Sequence, residues 1–403
     1  MSYGKRLFTE LCDVVACSDN FFMNVHEYNG HRIAMFDYSL TIPNDFGIGQ
    51  ALEARGSCFE IDENDNFIDI VALPFEKFFN LHEYDYDGNH DLRIKFKERY
   101  GIECTSEKVS ELLTSPETVI MDKRDGSIIT FFLLDGVLDC KSNSSLTSDY
   151  KVESLNLLRN AQPVLFRKIE DLCVQGFSVS TEYTSANPYR QIVLPYDTDS
   201  ITVTGVRSHS DGKYMSYDDM VGYFGEQYVV ERIPMINLDD VSGMEDIEGF
   251  VVWHQPSGLH FKLKTQWYID RHRVKSEILT PSNVWELYIN GDIDDVGASV
   301  PESNKPIFEY FMKECETLYN DIVRMGIELY EQFKHLDRKG FFANSYISDD
   351  KYKIAGSLAR NLYLGMNLQD ALERIKKDLL IKRNISRMGI PLWRYDGYDY
   401  AYN

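Results

Sequence analysis

The sequence predicts an α+β protein in which a domain rich in antiparallel β-strands is followed by an all-α domain. Short runs of β-branched and aromatic residues dominate from about residue 30 to 275, and turn signals such as Asp135-Gly136 separate them. After about residue 280, apolar residues recur at spacings of three and four, the period of an amphipathic helix. A chain of 403 residues accommodates two domains. We therefore assign residues 1–280 to the first domain and residues 281–403 to the second.

The first domain is predicted to open with a helix and to continue mainly as strands. The helix covers residues 3–17, and its apolar face carries Leu7, Phe8, Leu11, Val14 and Val15. The runs predicted as strands are, in chain order, HRIAMF, SCFEI, FIDIVAL, TVIM, SIITFFLL, FSVSTEY, QIVLPY, ITVTGV, GFVVWH and HFKLK. A helical pattern covers residues 152–173. This mixture is typical of an antiparallel-rich α+β domain.

The second domain is predicted to be helical. One long amphipathic helix has an apolar seam formed by Phe311, Cys315, Leu318, Ile322, Met325, Leu329, Phe333 and Leu336. Shorter helices are predicted at about 350–365 and 367–384, and residues 291–304, GDIDDVGASVPESN, are predicted to be a connector.

The charge and the cysteines restrict the possible functions. A net charge of -22 argues against a protein that coats nucleic acid by bulk attraction, so any nucleic-acid contact has to come from local basic patches. The seven cysteines are scattered, without a CxxC pair or a Cys/His cluster of zinc spacing. The sequence contains no stretch of membrane-spanning length, and its N-terminus does not resemble a signal peptide. We expect a cytoplasmic protein, in the host cytoplasm if its source is viral, with no membrane partner.

Residues 119–130, VIMDKRDGSIIT, place Lys123 between two apolar runs and just before the turn pair Asp125-Gly126. Apolar runs of this kind become buried strands, and a buried ammonium group is costly unless it is paired or used. Lys123 is therefore either a turn residue that points into water or a reactive amine held between strands.

Further charged residues lie at the ends or on the faces of predicted strands. HFKLK at 260–264 puts Lys262 and Lys264 on one strand face, where they repel each other unless they meet an anion or carboxylates. Each residue alone fits a solvated rim as well as a binding site, and adjacent aromatic residues are usually core. The others of interest are Arg55, Lys77, Phe78, Phe79, Glu182 and Glu248.

Taken in chain order from Arg55 to Lys264, the charged residues resemble those of the covalent nucleotidyltransferases. These are the ligases and capping enzymes that pass through a lysine–nucleotide intermediate. The closer resemblance is to the ATP-dependent RNA ligase 1 family of bacteriophages. The stretches that carry it span about residues 50–268: LEARGSCFE, PFEKFFNLHE, KRDGS, FSVSTEYTSANPYRQIVLPY, SYDD, DIEGFVV and HFKLKTQWY. The resemblance implies an antiparallel-sheet nucleotidyltransferase (ATP-grasp-like ligase) domain. The helical pattern after residue 280 does not fit the β-barrel domain of DNA ligases and capping enzymes.

The resemblance implies an ATP-dependent RNA ligase in which Lys123 is the catalytic nucleophile. The lysine would attack the α-phosphate of ATP, AMP would pass to the 5′-phosphate of an RNA end, and a 3′-hydroxyl would displace the AMP. Because a free lysine is protonated at neutral pH, its pKa has to be lowered. We expect the cations of Arg55, Lys77, Lys262 and Lys264, together with the apolar flanks, to lower it.

The resemblance also implies the nucleotide and metal sites. ATP would be bound by the four cations just named and by Phe79, Asp125, Gly126, Lys141, Glu182 and Glu248. Magnesium (or manganese) would be held by Glu182, Glu248, Asp294 and Asp295, although the aspartate pair fits a solvated linker equally well. The family has a lysine on the second strand of the hairpin after the nucleophile. Ungapped counting places Asn143 there, and a shorter hairpin turn places Lys141, which we favour.

The substrate implied by the family is RNA, specifically a cleaved tRNA anticodon loop recognised through the helical domain. The basic cluster at 374–387, RIKKDLLIKRNISR, fits RNA contact as well as a solvated helix face. The family also implies functional pairing with an end-healing polynucleotide kinase–phosphatase, and we expect a monomer. Two alternatives stay open: a capping guanylyltransferase or DNA ligase, and a nucleotide-dependent RNA-binding protein with an inactive site.

Overall fold

The computed structural model describes residues 1–39, 41–84, 89–102, 105–187, 190–234, 238–273, 279–293, 300, 304–348, 353–390 and 393. The chain divides into two compact units, Met1–Ile269 and Asp270–Asn403. In the described residues the first unit is mixed α and β, whereas the second is helical. The predicted α+β class with a helical C-terminal part is confirmed. The observed division lies a little before the boundary that we placed after residue 280.

The strands of the first unit form three antiparallel sheets. They are β1 (Phe21–Tyr28), β2 (His31–Tyr38), β3 (Ser57–Ile61), β4 (Phe67–Ala72), β5 (Thr118–Asp122), β6 (Ser127–Leu134), β7 (Val137–Lys141), β8 (Phe177–Thr184), β9 (Ser200–Ser208), β10 (Gly249–His254) and β11 (Leu259–Lys264). The strand orders are β1-β2-β3-β4, β11-β10-β5 and β7-β6-β8-β9. Neighbouring strands are antiparallel throughout.

All but one of the predicted β runs lie in strands, and the prediction for QIVLPY at 191–196 is wrong. In that segment the backbone N–H groups of Val193 and Leu194 donate to one carboxylate oxygen of Asp125, at 2.6 and 2.7 Å, instead of joining a strand ladder. The prediction also missed β1 and β7, because both mix polar or charged residues into their apolar pattern.

The helices predicted from periodicity are present, but the segments at 152–173 and 367–384 are each divided into two helices. They are α1 (Tyr3–Cys17), α2 (Leu81–Tyr84), α3 (His90–Tyr100), α4 (Ser106–Thr114), α5 (Asp149–Ala161), α6 (Pro163–Val174), α7 (Tyr217–Phe224), α8 (Leu238–Val241), α9 (Gln266–Arg273), α10 (Pro281–Asn290), α11 (Lys305–Phe333), α12 (Arg338–Phe342), α13 (Ser345–Ser348), α14 (Lys353–Tyr363), α15 (Leu368–Leu379) and α16 (Lys382–Arg387). The pattern at 152–173 is two helices, because Pro163 lacks an N–H and starts a new helix.

The apolar faces predicted from the sequence are buried or partly buried. Most of the apolar face of α1 enters a core cluster with the first sheet, where the Phe8 ring makes edge contacts with Phe36 and Phe59 at 5.6 and 5.5 Å. A second cluster joins α5 and α6 to the sheet of β6 to β9. The second unit has its own core, which includes the fully buried Trp285. No helix in the described residues has both the length and the apolar character needed to cross a membrane.

His31 on β2 lies between two carboxylates. Its Nδ1 is 2.7 Å from Oε1 of Glu60 on β3, and its Nε2 is 2.7 Å from Oδ2 of Asp135 in the β6–β7 turn. Hydrogen bonds to these two carboxylates raise the pKa of His31 above its usual value. The protonated imidazole therefore stabilises the fold. This contribution is complete below the unfolded-state pKa of about 6.5 and disappears as the pH rises through the higher folded-state pKa.

We expect His31→Gln to lower the free energy of unfolding more at about pH 6 than at about pH 9, because only the imidazolium donates to both carboxylates. Urea unfolding of both proteins at both pH values measures the difference. His90→Gln is the control, since the His90 side chain is 78% exposed. An equal loss for His31→Gln at the two pH values would contradict the assignment.

Candidate active site

Lys123 lies in the link between β5 and β6, two strands that belong to different sheets. Its backbone N–H donates to the carbonyl oxygen of Gly249 at the start of β10, at 3.0 Å. Gly249 has a φ of 140°, and a Cβ there would lie 1.9 Å from the carbonyl oxygen of Leu263. Only glycine allows this close approach, which fixes the backbone of Lys123 against the β10–β11 hairpin.

The side chain of Lys123 is largely buried, at 19% exposure, and its amine forms an ion pair. Its Nζ lies 2.7 Å from Oε1 of Glu248, and the Nζ of Lys264 lies 3.0 Å from the same oxygen. Glu248 is itself only 3% exposed. Of the two interpretations of Lys123, the solvated turn is excluded, and the amine is held in a fixed position.

The pKa of Lys123 is raised, so the expectation of a lowered pKa is wrong for this structure. Burial lowers the pKa, as expected, but the negative charges of Glu248, Glu182 and Asp125 and the hydrogen bond to Glu248 outweigh that effect. Conversely, burial alone would raise the pKa of Glu248, yet the ammonium groups of Lys123 and Lys264 hold it below its usual value. The sequence identified the cations but gave no measure of how close the carboxylates are.

A cleft of about 790 Å³, including its open mouth, lies beside Lys123. Four other residues of the predicted site lie in the wall of this cleft, namely Arg55, Gly126, Glu182 and Lys262. The remaining lining residues are Phe75, Phe78, Met121, Asp122, Arg124, Ile128, Thr204, Val230 and Val251. An apolar cavity with converging cations and a carboxylate suits a ligand that has both a flat apolar part and negative charge.

Lys262 and Arg55 approach the same ring in the cleft wall. The Nζ of Lys262 lies 4.9 Å from the centre of the Phe78 ring, and the Arg55 guanidinium carbon lies 5.5 Å from it. Burial and the positive charges of Arg55, Lys123, Lys77 and Lys264 lower the pKa of Lys262 well below its usual value. An anion bound in the cleft would relieve this repulsion, as phosphate groups do.

The structure places Lys77 and Phe79 differently from the prediction. Phe79 is 3% exposed and packs in the first core, whereas its neighbour Phe78 lines the cleft. The Nζ of Lys77 donates to the hydroxyl of Tyr38 at 2.9 Å and lies over the rings of Tyr38, Phe46 and Phe79. The sequence could not decide which of two adjacent phenylalanines is core.

Asp125 supports the link around Lys123 and is not among the cleft-lining residues. Its carboxylate accepts the two N–H groups of the 193–194 segment and, at 2.6 Å, the hydroxyl of Tyr268. These three bonds show that Asp125 supports the link, and its contact with the nucleotide stays a prediction. Gly126 has to be glycine, because a Cβ would lie 2.2 Å from the carbonyl oxygen of Tyr183. Tyr268 lies in the stretch HFKLKTQWY, but the sequence did not reveal its role.

Lys141 is fully buried at the end of β7, and its Nζ donates to the carbonyl oxygen of Asn143 at 2.6 Å. Burial lowers its pKa. Both residues lie against Gly56, where a Cβ would be 2.1 Å from the Asn143 carbonyl oxygen and 2.6 Å from the Lys141 Nζ. Lys141 thus lies against Gly56, the residue that follows Arg55. Lys141 is not among the residues that line the cleft.

Glu182 and Glu248 are the predicted metal ligands in the described part of the chain; Asp294 and Asp295 lie outside it. Burial, together with the negative charges of Glu248 and Asp125, raises the pKa of Glu182 to about 7. A divalent cation would stabilise the ionised form of such a carboxylate. The described residues contain no group of three or more His, Cys, Asp and Glu side chains that could hold a metal. Two carboxylates nevertheless fit magnesium, which keeps several water ligands.

Gly205 on β9 provides space for Phe75, because a Cβ at this position would lie 2.3 Å from the Phe75 ring. We expect Gly205→Ala to push the ring into the cleft and to weaken ATP binding roughly tenfold, on the scale of the 1–3 kcal/mol that overpacking costs. Calorimetric titration with ATP in a Lys123→Ala background measures this effect without turnover.

The matched control is Gly222→Ala in α7, since a Cβ at Gly222 meets no atom within 4 Å. This variant should bind ATP normally and gain up to about 1 kcal/mol of stability from helix propensity. Unchanged ATP affinity in Gly205→Ala would show that the Phe75 ring does not border the ligand.

The antiparallel α+β unit, the lysine between two sheets and the cations around the cleft fit the nucleotidyltransferase-type site expected from the sequence. The sequence profile of the T4 RNA ligase 1 family, described as RNA ligase, matches residues 53–268, more than half of the chain. The chain therefore belongs to this RNA ligase family.

Two curated relatives are distant in sequence. A Thermovibrio ammonificans protein named as an RNA ligase is 23% identical over 273 residues, which cover 65% of this chain and 64% of the relative. A protein of Autographa californica nuclear polyhedrosis virus, named as a bifunctional polynucleotide kinase/RNA ligase, is 22% identical over 341 residues, 78% of this chain and 44% of the relative. The chain thus spans less than two thirds of either relative.

Two solved RNA ligases show a low overall likeness to this chain. An archaeal ATP-dependent RNA ligase has a TM-score of 0.40 and 10% identity, covering 70% of this chain and 65% of the other. A Naegleria gruberi RNA ligase with pyrophosphate has a TM-score of 0.35 and 12% identity, covering 62% and 80%.

Proposed function

We propose that the protein is an ATP-dependent RNA ligase that joins 5′-phosphate and 3′-hydroxyl RNA ends through a covalent lysyl-AMP intermediate. The observation that carries the proposal is the amine of Lys123, fixed by Glu248 at the edge of a cleft that also holds Arg55 and Lys262. Family membership supports RNA ligation over other uses of such a site.

In the first step, the Lys123 nitrogen forms a bond to the α-phosphorus of ATP, while the bond from that phosphorus to the β-phosphate oxygen breaks and pyrophosphate leaves. In the second step, an oxygen of the RNA 5′-phosphate attacks the same phosphorus and releases the lysine. In the third step, the RNA 3′-hydroxyl attacks the 5′-phosphorus, and AMP leaves with the electron pair.

The chain's own groups bind the triphosphate and orient the amine. Arg55 and Lys262 would pair with phosphate oxygens, which would remove the repulsion that now lowers the pKa of Lys262. Glu248 holds Lys123 at the cleft wall, and the amine has to lose its proton before it attacks. Lys264, on the same oxygen of Glu248, remains as its partner when Lys123 reacts.

Magnesium fits Glu182 and Glu248, where it would supply positive charge to the phosphates and reduce the negative field that raises the pKa of Lys123. The proposed contribution of Asp294 and Asp295 concerns residues outside the described part of the chain.

We further propose that the natural RNA is a cleaved tRNA anticodon loop. The helical second unit supports this proposal through Arg374, Lys377 and Arg383, which are exposed on α15 and α16 and could contact phosphates. The relative named as a bifunctional polynucleotide kinase/RNA ligase supports pairing with an end-healing enzyme.

The test is to incubate the protein with magnesium and α-labelled ATP and then with 5′-phosphorylated substrates. We expect label on the protein, followed by sealing of a nicked tRNA anticodon loop in preference to linear RNA or nicked DNA. Labelling by GTP, or preferential sealing of nicked DNA, would favour a capping enzyme or a DNA ligase. ATP binding without labelling would contradict the proposal.

A further inference from the structure

Arg207 on β9 is 3% exposed and is not among the residues that line the cleft. Its Nη1 and Nη2 donate to the two carboxylate oxygens of Glu53, each at 2.6 Å. Nη1 also donates to the carbonyl oxygen of Pro74 at 3.0 Å, and Nε donates to that of Gly212 at 2.8 Å. The guanidinium therefore fixes both the position and the orientation of Glu53.

A second arginine completes the network. Arg99 at the end of α3 donates to Oε1 of Glu53 at 2.5 Å and pairs with Glu76, which also accepts the hydroxyl of Tyr100 at 2.7 Å. Both glutamates are buried, at 1% and 3% exposure. Burial alone would raise the pKa of Glu53, but Arg207 and Arg99 hold it at about 2. Glu53 therefore stays ionised and bound.

The network joins two segments that line the cleft of the proposed ATP site. Arg55 follows Glu53 by two residues, and Lys77 directly follows Glu76. The backbone N–H of Lys77 donates to the carbonyl oxygen of Leu52 at 2.6 Å, so the segments are in direct contact. The second segment also supplies two phenylalanine rings to the cleft wall. A shift of Glu53 would therefore displace Arg55 and these two rings.

We propose that Arg207 is a positioning residue that sets Arg55, together with the rings of Phe75 and Phe78, for binding ATP. This inference rests on the proposed function. Stability alone does not require such a network, because apolar residues of similar volume often stabilise a core as well as buried ion pairs do. A bidentate pair between an arginine and a carboxylate also fixes the orientation of the carboxylate. A site that binds phosphate oxygens requires such fixed orientations.

The test compares Arg207→Lys and Arg207→Met with the wild-type protein in labelling by α-labelled ATP. We expect the apparent KM for ATP to rise about tenfold in Arg207→Lys and about a hundredfold in Arg207→Met, on the scale of a 1 Å misplacement. The labelling rate at saturating ATP should stay within about threefold of wild type. Sealing of RNA that already carries a 5′-adenylate uses no triphosphate and should be unchanged. If Arg207→Met does not fold, Arg207→Lys, which keeps the positive charge, still tests the proposal.

Lys151→Met is the matched control, because Lys151 forms a buried pair with Asp139 at 2.7 Å with both side chains 11% exposed. It should lower the thermal midpoint without changing the KM for ATP. An unchanged KM in both Arg207 variants would overturn the proposal. The proposal would also be overturned if, in the Arg207 variants, the labelling rate and the sealing of adenylated RNA fell together in proportion to the loss of folded protein. Wild-type protein that binds ATP but takes no label would refute the ligase function instead.

Discussion

Lys123→Ala is expected to lose the transfer of label from α-labelled ATP to the protein, by at least about a thousandfold, because the variant has no amine to form the bond to phosphorus. Binding of ATP should persist, since Arg55 and Lys262 still line the cleft. Gel analysis of labelled protein measures the reaction, and calorimetric titration measures the binding.

Lys213→Ala is the control for this substitution, because the Lys213 side chain is 83% exposed and its ion pair with Asp211 is long, at 3.8 Å. It should label at the wild-type rate. Lys123→Ala should also fail to make adenylated RNA but should seal RNA that already carries the 5′-adenylate, since the third step does not use the amine. Wild-type labelling of Lys123→Ala would place the nucleophile elsewhere.

Lys262→Met is expected to slow labelling about 10²–10³-fold, the cost of removing one charged group that stabilises the developing charge. The same substitution should raise the thermal midpoint. Among the described residues, Lys262 has no carboxylate within ion-pair distance, and burial together with neighbouring cations makes its charge unfavourable. Loss of activity with gain of stability is the signature of a group kept for its ligand.

Lys264→Met is the comparison for this prediction. Lys264 pairs with Glu248 at 3.0 Å, so its removal should slow labelling and also lower the thermal midpoint. Differential scanning calorimetry and ATP labelling on both variants separate the two cases. A fall in the midpoint of Lys262→Met as large as that of Lys264→Met would contradict the view that Lys262 destabilises the folded protein.

Several parts of the fold were predictable because they depend on short stretches of sequence. The strand β6 and the helix α1 have the predicted bounds, since alternation and helical periodicity are local patterns. QIVLPY has a strand-like composition, yet its backbone N–H groups bond to Asp125, 68 residues earlier in the chain. Local propensity could not reveal that partner.

The candidate site divides in the same way. The sequence by itself determined the order of charged residues from Arg55 to Lys264 and singled out Lys123 as the amine at the strand junction. The tertiary structure decided that Phe78 rather than Phe79 lines the cleft, and that Asp125 supports the link. It also placed Arg207 on Glu53, 154 residues away in the chain.

The direction of the Lys123 pKa shows the physical reason most clearly. Sequence determines which charged groups exist, and among the predicted cations Arg55 and Lys262 line the cleft beside Lys123. The electrostatic energy of a group depends on distance and burial, and the carboxylates around Lys123, with that of Glu248 at 2.7 Å, outweigh the effect of its burial. Which charges exist was therefore readable from the chain, whereas their effect on one another was decided only by the packing of two sheets around Lys123.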